Sequence, residues 1–320
     1  MPYLIGTDEA GYGPNLGPLV ISASVWEVPE GVGAEDLYGL LGGVVRAEPP
    51  FDSNQCVPIA DSKVLYRPGH GLRHLERGVA AALALLGRQP ATWRAAFECL
   101  DSASALARRA MPWYANFDCP LPLDSDPAET GALAVRLAAA LAAAGVRLVD
   151  LRSRVVFEDQ FNRLLECHGS KSSVLSRTTL ALAAELIAPL DAGPIFVLCD
   201  KHGGRNFYRD LLQTALDDAF IEIRGEGRDR SVYCFGPAER RVEFRFQSKA
   251  EVCLPVALAS MASKYLRELA MRAVNRFWCG RLAGLRPTAG YPEDARRFKA
   301  EIVALQAELG IDDRILWRAK

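Results

Sequence analysis

Short apolar strands alternate with helices along much of this chain, and this alternation limits its possible folds more than any other feature. An opening pair of strands joined by a glycine-rich turn is predicted first. The predicted strands are 3–7, 18–26, 154–157, 194–199, 220–224 and 241–247, and the predicted helices in the second half are 172–188, 206–218, 252–272 and 293–309. A hairpin followed by strand–helix alternation predicts an α/β fold, with a mixed sheet covered by helices on both faces.

The segment 66–147 interrupts this alternation. Residues 71–87 and 128–144 are rich in alanine and leucine with scattered arginine, a composition that predicts helices. Between them, the proline- and aromatic-rich stretch 111–122 is unlike any regular element. We therefore predict one domain made of 1–65 and 148–320 with C-terminal helices, and a helical insertion or subdomain at 66–147.

The composition excludes several other classes of protein. The chain has 320 residues, half of them apolar, so it can bury a sizeable core as one large or two modest domains. No apolar run is long enough to span a bilayer, and the N-terminus lacks a basic region before an apolar stretch. Its eight cysteines include no Cys-x-x-Cys pair, which favours reduced thiols over a zinc site or disulfides. A cytoplasmic protein without a membrane segment is expected.

Positive charge is concentrated locally, although the net charge is only −1. Arginine and lysine crowd the second half of the chain at Arg224, Arg228, Arg230, Arg240, Arg241, Arg245 and Lys249. Local density matters more than net charge for contact with phosphates. A solvated strand edge is the commoner meaning of such a run.

Asp8 and Glu9 are adjacent at the end of the first apolar strand. Two carboxylates at this range repel each other unless positive charge compensates them. Divalent cations are the usual compensators, and hard oxygen ligands favour magnesium or manganese. The glycines at 11, 13 and 17 allow backbone to approach a ligand closely or to adopt turn conformations closed to other residues. A polar turn after an edge strand is the alternative interpretation.

Two further acids stand at positions suited to a site. Asp200 follows the buried strand 194–199, at the carboxyl end where open α/β sheets bind ligands. Glu251 precedes an apolar helix, whose dipole favours an anion at that end. Considered singly, Asp200 fits a turn cap and Glu251 an ordinary first-turn glutamate.

Together these motifs resemble the type 2 ribonucleases H, the HII and HIII enzymes. The run Asp8-Glu9-Ala10-Gly11-x-Gly13-x-x-x-Gly17-Pro18 resembles the N-terminal signature of that family. Other matching segments are Asp61-Ser62-Lys63, Phe161-Asn162, Lys249-Ala250-Glu251, the alanine-rich run ending at Lys264, and Gly290-Tyr291-Pro292. The resemblance covers about 1–65 and 153–300, and glutamate as the fourth acid is typical of HIII.

The resemblance implies a fold and an activity. The fold would be a ribonuclease H-like mixed five-stranded sheet. The activity would be a metal-dependent endonuclease that hydrolyses the RNA strand of RNA–DNA hybrids, with two Mg²⁺ or Mn²⁺ ions and no obligate protein partner. The implied metal ligands and catalytic residues are Asp8, Glu9, Asp200 and Glu251; the implied substrate-binding residues are Gly11, Tyr12, Gly13, Lys63 and Lys264.

Tyr12 and Lys201 depart from the family pattern. HII enzymes carry Gly-Arg-Gly where this chain has Gly11-Tyr12-Gly13, so a phenol replaces a cation beside the 2′-hydroxyl of the substrate. Lys201 follows Asp200 directly, and a cation there would weaken metal binding unless it turned away. Two alternatives therefore stay open: a metal nuclease for another structured nucleic acid such as branched DNA, and an inactive nucleic-acid-binding protein. A nucleotide-binding loop at 11–17 is disfavoured, because no Gly-Lys-Ser/Thr is present.

Overall fold

The computed structural model describes residues 1–52, 54–67, 69–216 and 219–319. Its β-strands form a seven-stranded sheet and a separate two-stranded parallel pair made by β3 and β4. The strands are β1 (Tyr3–Ala10), β2 (Leu19–Glu27), β3 (Val45–Arg46), β4 (Val57–Pro58), β5 (Arg147–Val156), β6 (Ile195–Asp200), β7 (Glu222–Gly225), β8 (Arg230–Phe235) and β9 (Val242–Gln247).

The large sheet has the order β5-β2-β1-β6-β9-β8-β7. β2 is antiparallel to β1 and β5, whereas β6 is parallel to both β1 and β9. β8 then runs antiparallel to β9 and β7. The predicted mixed α/β sheet is thus confirmed. It has seven strands rather than five, because the β7–β8 hairpin extends the edge beyond β9.

Helices cover both faces of this sheet. Within the described residues they are α1 (Leu37–Leu41), α2 (Ser62–Leu65), α3 (Arg73–Leu85), α4 (Trp93–Leu100), α5 (Ala105–Ala110), α6 (Pro112–Ala115), α7 (Pro127–Ala144), α8 (Glu158–His168), α9 (Lys171–Ile187), α10 (Arg209–Ala215), α11 (Leu254–Cys279), α12 (Pro292–Glu308) and α13 (Asp313–Leu316). In this part of the chain, no helix is both long and apolar enough to cross a membrane.

The apolar core divides between the two faces of the sheet. α9 and α10 pack on one face, where Ile5 and Val197 are fully buried. α11 packs on the other, against Leu4 and Leu198. The close approach of α11 to β1 depends on Gly6, since a Cβ at this position would lie 2.2 Å from the carbonyl carbon of Pro255. The α11 face is the one that carries the candidate site.

The helices α3 to α7 lie within the segment that we predict as an insertion. They share the core on the α11 face: Trp93, Trp113 and Leu133 are buried in the same cluster as Leu258. The shared core couples this segment to the sheet. The proposed boundaries at 66 and 147 stay a prediction.

Most predicted elements are present, but the structure has additional elements and some shifted boundaries. The stretch 111–122, predicted to be irregular, contains the short helix α6. The strand β8 and the helix α8 were not predicted. The helix predicted over 206–218 is shorter, Arg209–Ala215, and Asp217 and Asp218 lie outside the described residues. β5 begins at Arg147, well before the predicted 154. The prediction missed this start because the first half of the strand mixes buried and more exposed residues and is not an apolar run.

Candidate active site

Asp8 and Asp200 lie at the same edge of the sheet, at the ends of neighbouring parallel strands. Thr7 of β1 is opposite Cys199 of β6, so each acid is the next residue beyond a paired position. Side chains alternate between the two faces of a strand. Because Leu4 and Leu198 face α11, Asp8 and Asp200 also point to the α11 face.

Glu251 comes to this edge from the short 3₁₀ helix Ala250–Val252, which connects β9 to α11. Its Oε1 lies 3.4 Å from the Lys63 Nζ, whereas its Oε2 is buried and has no hydrogen-bond partner among the described residues. Lys63 follows Asp61, the N-cap of α2, and its ammonium lies 3.9 Å from the Asp61 carboxylate. The structure therefore brings Lys63 beside the acids.

The negative charges of Asp8, Glu9, Asp200 and Glu251 act on one another. Burial raises the pKa of Asp8 to about 7, helped by Glu251 and Asp200 and opposed by a hydrogen bond from Ser260. Burial and the charges of Asp8 and Asp200 raise the pKa of Glu9 to about 8, against the effect of Lys63. The pKa of Asp200 is also raised, by burial and then by Glu251. Three separate segments thus place four carboxylates within one electrostatic site.

Serine side chains support the carboxylate of Asp8 and its backbone from α11. Ser263 donates a hydrogen bond to the Asp8 carbonyl oxygen at 3.0 Å and lies 2.8 Å from the Ser22 Oγ. The Ser260 hydroxyl donates to the Asp8 carboxylate, and its Oγ lies 3.0 Å from the Ser62 Oγ. None of these serines was predicted as a site residue. The signal for Ser260 and Ser263 was a pair of serines, three residues apart, in the apolar first part of α11.

The four acids have the right chemistry for divalent cations. All their donor atoms are carboxylate oxygens, which select Mg²⁺ or Mn²⁺, and the buried Glu251 Oε2 lacks another partner. As the side chains stand, however, no group of three or more His, Cys, Asp or Glu side chains in the described residues is arranged to hold an ion. Lys63 contacts Glu251 instead, so binding a cation requires Lys63 and the carboxylates to reorient.

The glycines of the loop 11–17 differ in the space available around them. Gly11 has a φ of 91°, and a Cβ there would come within 2.5 Å of the Pro18 carbonyl oxygen. A Cβ on Gly13 would meet nothing within 4 Å. The half-buried Tyr12 places its hydroxyl against Gly203. Gly11 is therefore needed by the fold, whereas the space beside Gly13 is open to a ligand.

Three buried charged residues form hydrogen bonds with the backbone of this loop. Arg318, which is fully buried, donates hydrogen bonds to the carbonyl oxygens of Gly11 and Pro14. Glu158 of α8 accepts one from the Gly17 N–H at 3.1 Å, and Arg267 of α11 donates to the Leu16 carbonyl oxygen at 3.2 Å. These residues were also not predicted, because their partners are backbone atoms distant in sequence.

Lys201 turns away from Asp200. Its Nζ donates to the Asn206 Oδ1 at 2.9 Å, to the Gly227 carbonyl oxygen at 2.5 Å and to the Ser231 Oγ at 3.3 Å. Lys201 therefore connects the end of β6 to the turn before β8 and does not oppose a cation at the acids.

Lys264 is engaged elsewhere on α11. Its Nζ lies 2.5 Å from the Glu268 Oε1 and 4.4 Å from the centre of the Tyr66 ring. Tyr66 donates a hydrogen bond to the same Glu268 carboxylate, at 2.8 Å. A role for Lys264 in phosphate contact stays a prediction, and it requires the ion pair with Glu268 to open.

No family model and no curated protein matches this chain. Among solved structures it is similar to ribonuclease H2 from Pyrococcus horikoshii OT3, with 16% identity and a TM-score of 0.45, over 98% of this chain and 92% of that one. For the PCNA:RNase HII complex from Archaeoglobus fulgidus, the identity is 15%, the TM-score 0.43 and the coverage 99% and 94%. For Bst-RNase HIII in complex with Mn²⁺ the values are 16%, 0.41, 99% and 65%, so this chain spans less than two thirds of that protein. These solved structures are ribonucleases HII and HIII, the same family that the sequence motifs resemble.

Proposed function

We propose that this protein is a metal-dependent endonuclease that hydrolyses the RNA strand of RNA–DNA hybrids. Asp8, Glu9, Asp200 and Glu251 are the proposed ligands of two Mg²⁺ or Mn²⁺ ions. The observation that carries this proposal is that Asp8, Asp200 and Glu251 come to the same end of the sheet from three separate segments, where the charges of Glu251 and Asp200 act on Asp8. Buried like charges are costly in a fold, and a cation-binding role gives them a reason to be kept together.

Different residues of the chain have different roles in the proposed reaction. The four carboxylates would hold the cations, and the serines of α11 hold Asp8 in place. Bound cations supply an activated water molecule and stabilise the charge on the leaving oxygen. Lys63, with an exposed side chain beside Glu251, is suited to exchange that ion pair for a substrate phosphate.

The loop 11–17 supplies the proposed contact with the ribose. Distinguishing RNA from DNA requires a group that hydrogen-bonds the 2′-hydroxyl. Backbone groups of Gly11, Tyr12 and Gly13 lie two to four residues after Glu9, and the open space beside Gly13 lets a sugar approach them. Tyr12 offers an aromatic ring rather than a cation at this position.

The test is to incubate the protein with Mg²⁺ or Mn²⁺ and three substrates: a uniform RNA–DNA hybrid, a DNA duplex with a single ribonucleotide, and a branched DNA. We expect cleavage of the hybrid RNA strand, and its loss in Asp8→Asn and Asp200→Asn. A Lys299→Ala variant, whose surface ion pair with Asp313 belongs to another part of the molecule, serves as a matched control.

Each result has a defined meaning. Cleavage of branched DNA in place of the hybrid would identify a metal nuclease with another substrate. Tight hybrid binding without cleavage would indicate a nucleic-acid-binding protein. Wild-type cleavage rates in both Asp8→Asn and Asp200→Asn would show that these acids are not catalytic.

A further inference from the structure

The β7–β8 hairpin brings arginine to the edge of the sheet that carries the acids. Gln247 of β9 is opposite Asp200 of β6 on one side and opposite Arg230 of β8 on the other. Residues directly opposite each other in a sheet point to the same face. Arg230 therefore lies on the same face and at the same end of the strands as Asp200. The two residues are two strand spacings, or about 10 Å, apart.

The turn between β7 and β8 is fixed beside the site. Lys201 holds the Gly227 carbonyl oxygen, and the Ser248 N–H donates to the Asp229 carbonyl oxygen at 3.2 Å. The unexpected lysine after Asp200 serves to dock the hairpin turn.

The arginines of this region fall into two groups. Arg224 and Arg241 pair with Glu222 at 2.8 and 2.5 Å, and Arg245 pairs with Glu243. Arg228 and Arg230, by contrast, are exposed and form no ion pair within the described residues. Arg228 and Arg230, the two arginines nearest the docked turn, are thus available for a ligand.

An open groove of about 500 Å³ lies next to them on the same face. It is lined by Arg224, Glu226, Arg230, Glu243 and Arg245. Its acids are already engaged, since Glu226 accepts a hydrogen bond from Tyr233 and Glu243 pairs with Arg245. An anionic ligand in this groove would therefore meet Arg230 without displacing an existing ion pair of that residue.

We propose that Arg228 and Arg230 contact backbone phosphates of the nucleic acid whose scissile phosphate lies at the carboxylates. The inference rests on the proposed function and specifies the path of its substrate, from Asp200 across β9 to the added hairpin. Along the axis of a duplex, a separation of about 10 Å corresponds to roughly three nucleotides, because the axial rise is about 3.4 Å per nucleotide of one strand. Phosphate contacts of this kind position a duplex without reading its sequence.

The test compares Arg228→Ser/Arg230→Ser with Arg241→Ser. Arg241 is paired with Glu222 of the same hairpin and is not among the residues that line the groove, so it is a matched control. Fluorescence anisotropy with a labelled RNA–DNA hybrid, in Ca²⁺, gives Kd as a function of salt concentration. Each lost phosphate contact lowers the slope of log Kd against log salt by about 0.9. We expect the double variant to lose nearly two units of slope and about tenfold in affinity, and the control to stay within about twofold of wild type.

A second arm locates the contact. The modified hybrid has one neutral methylphosphonate about three nucleotides from the scissile phosphate. Wild type should bind the modified hybrid more weakly than the normal hybrid. The double variant should bind both hybrids equally well. An unchanged salt slope in the double variant, or an equal loss in the Arg241→Ser control, would overturn the inference. Absence of cleavage by wild type, with the salt slope as expected, would instead refute the proposed catalytic function.

Discussion

Arg318 and Gly11 are 307 positions apart in the sequence, yet the Arg318 Nη2 donates a hydrogen bond to the Gly11 carbonyl oxygen at 2.5 Å. The peptide bond between Gly11 and Tyr12 is trans, so its carbonyl and the following N–H point in opposite directions. With the carbonyl fixed on Arg318, the Tyr12 N–H points away from that side chain. Arg318 thus sets the orientation of a peptide group that we propose for sugar recognition.

Replacing Arg318 should loosen the loop 11–17 selectively. Arg318→Met leaves the carbonyl oxygens of Gly11 and Pro14 without their buried donor, at a cost of about 2–4 kcal/mol. Faster hydrogen–deuterium exchange is expected in peptides covering 10–18, with a raised KM for hybrid. Arg318→Lys, which restores one donor, should recover part of both effects.

Arg314→Ala is the matched control, because Arg314 lies on α13 and its ion pair with Glu166 is exposed. Exchange in 10–18 that stays at the wild-type rate in Arg318→Met would show that the loop keeps its conformation without this arginine.

The glycines of the loop should differ in their response to alanine. Gly11→Ala forces a side chain into a left-handed conformation and against the Pro18 carbonyl oxygen, so we expect a loss of several kcal/mol in stability. Gly13→Ala has open space and should keep the melting temperature of wild type. If the substrate approaches Gly13 closely, this variant should still lose at least tenfold in kcat/KM on hybrid. Full activity in Gly13→Ala would exclude close approach at this position.

The acids should make the metal-free protein less stable as the pH rises. The folded-state pKa values of Asp8 and Glu9, about 7 and about 8, lie above their ordinary values of 3.8 and 4.5. Their contribution to stability is therefore fully present below about pH 4 and is lost as the pH rises through 7 to 8. At pH 9 without metal, Asp8→Asn should melt several degrees above wild type, for a gain of about 1–3 kcal/mol.

The same carboxylates should link stability to metal binding. Adding Mn²⁺ at pH 9 should raise the melting temperature of wild type and have a much smaller effect on Asp8→Asn. Thermal unfolding at pH 5 and pH 9, with and without Mn²⁺, gives the four melting temperatures needed for each protein. A wild-type stability that does not fall between pH 5 and pH 9 would show that the acids are not destabilising in the metal-free fold.

Tyr12 should set the preference between substrates. A phenol can stack on a sugar or base but does not pair with phosphate as arginine does. We therefore expect wild type to cleave a run of ribonucleotides much faster than a single embedded ribonucleotide, and Tyr12→Arg to shift the ratio towards the single one. Tyr12→Phe keeps the ring and should leave the ratio unchanged. Equal initial rates of wild type on both substrates would show that Tyr12 does not limit recognition.

Local sequence signals were sufficient for the central part of the fold. The apolar runs around Ile5 and Val197 predict their strands because both are buried on two sides. β8 was missed because the arginines around it were interpreted only as a solvated strand edge, although its Ser231, Tyr233 and Phe235 are buried. α8 was missed because most of its residues are polar and only a narrow stripe, including Phe161, is buried.

The acids of the candidate site could be identified from the sequence, but their surroundings could not. Asp8 and Glu251 were found through motif resemblance and position, which do not depend on long-range contacts. The roles of Lys201 and Arg318 depend on which backbone carbonyl lies within reach, and this is decided by tertiary packing. For the same reason, the sequence could not separate the unpaired Arg230 from the paired Arg224.

The contact between Arg318 and Gly11 also determines when the loop can be completed during synthesis. At about 5–20 residues per second, the ribosome needs roughly 15–60 s to add the 307 residues that separate the two partners. During that interval the acidic strand end and its glycine turn exist without the arginine that supports them. The nascent chain thus carries Asp8 and Glu9 long before it has a fully supported site, and the last contact to form joins two residues that are 307 positions apart.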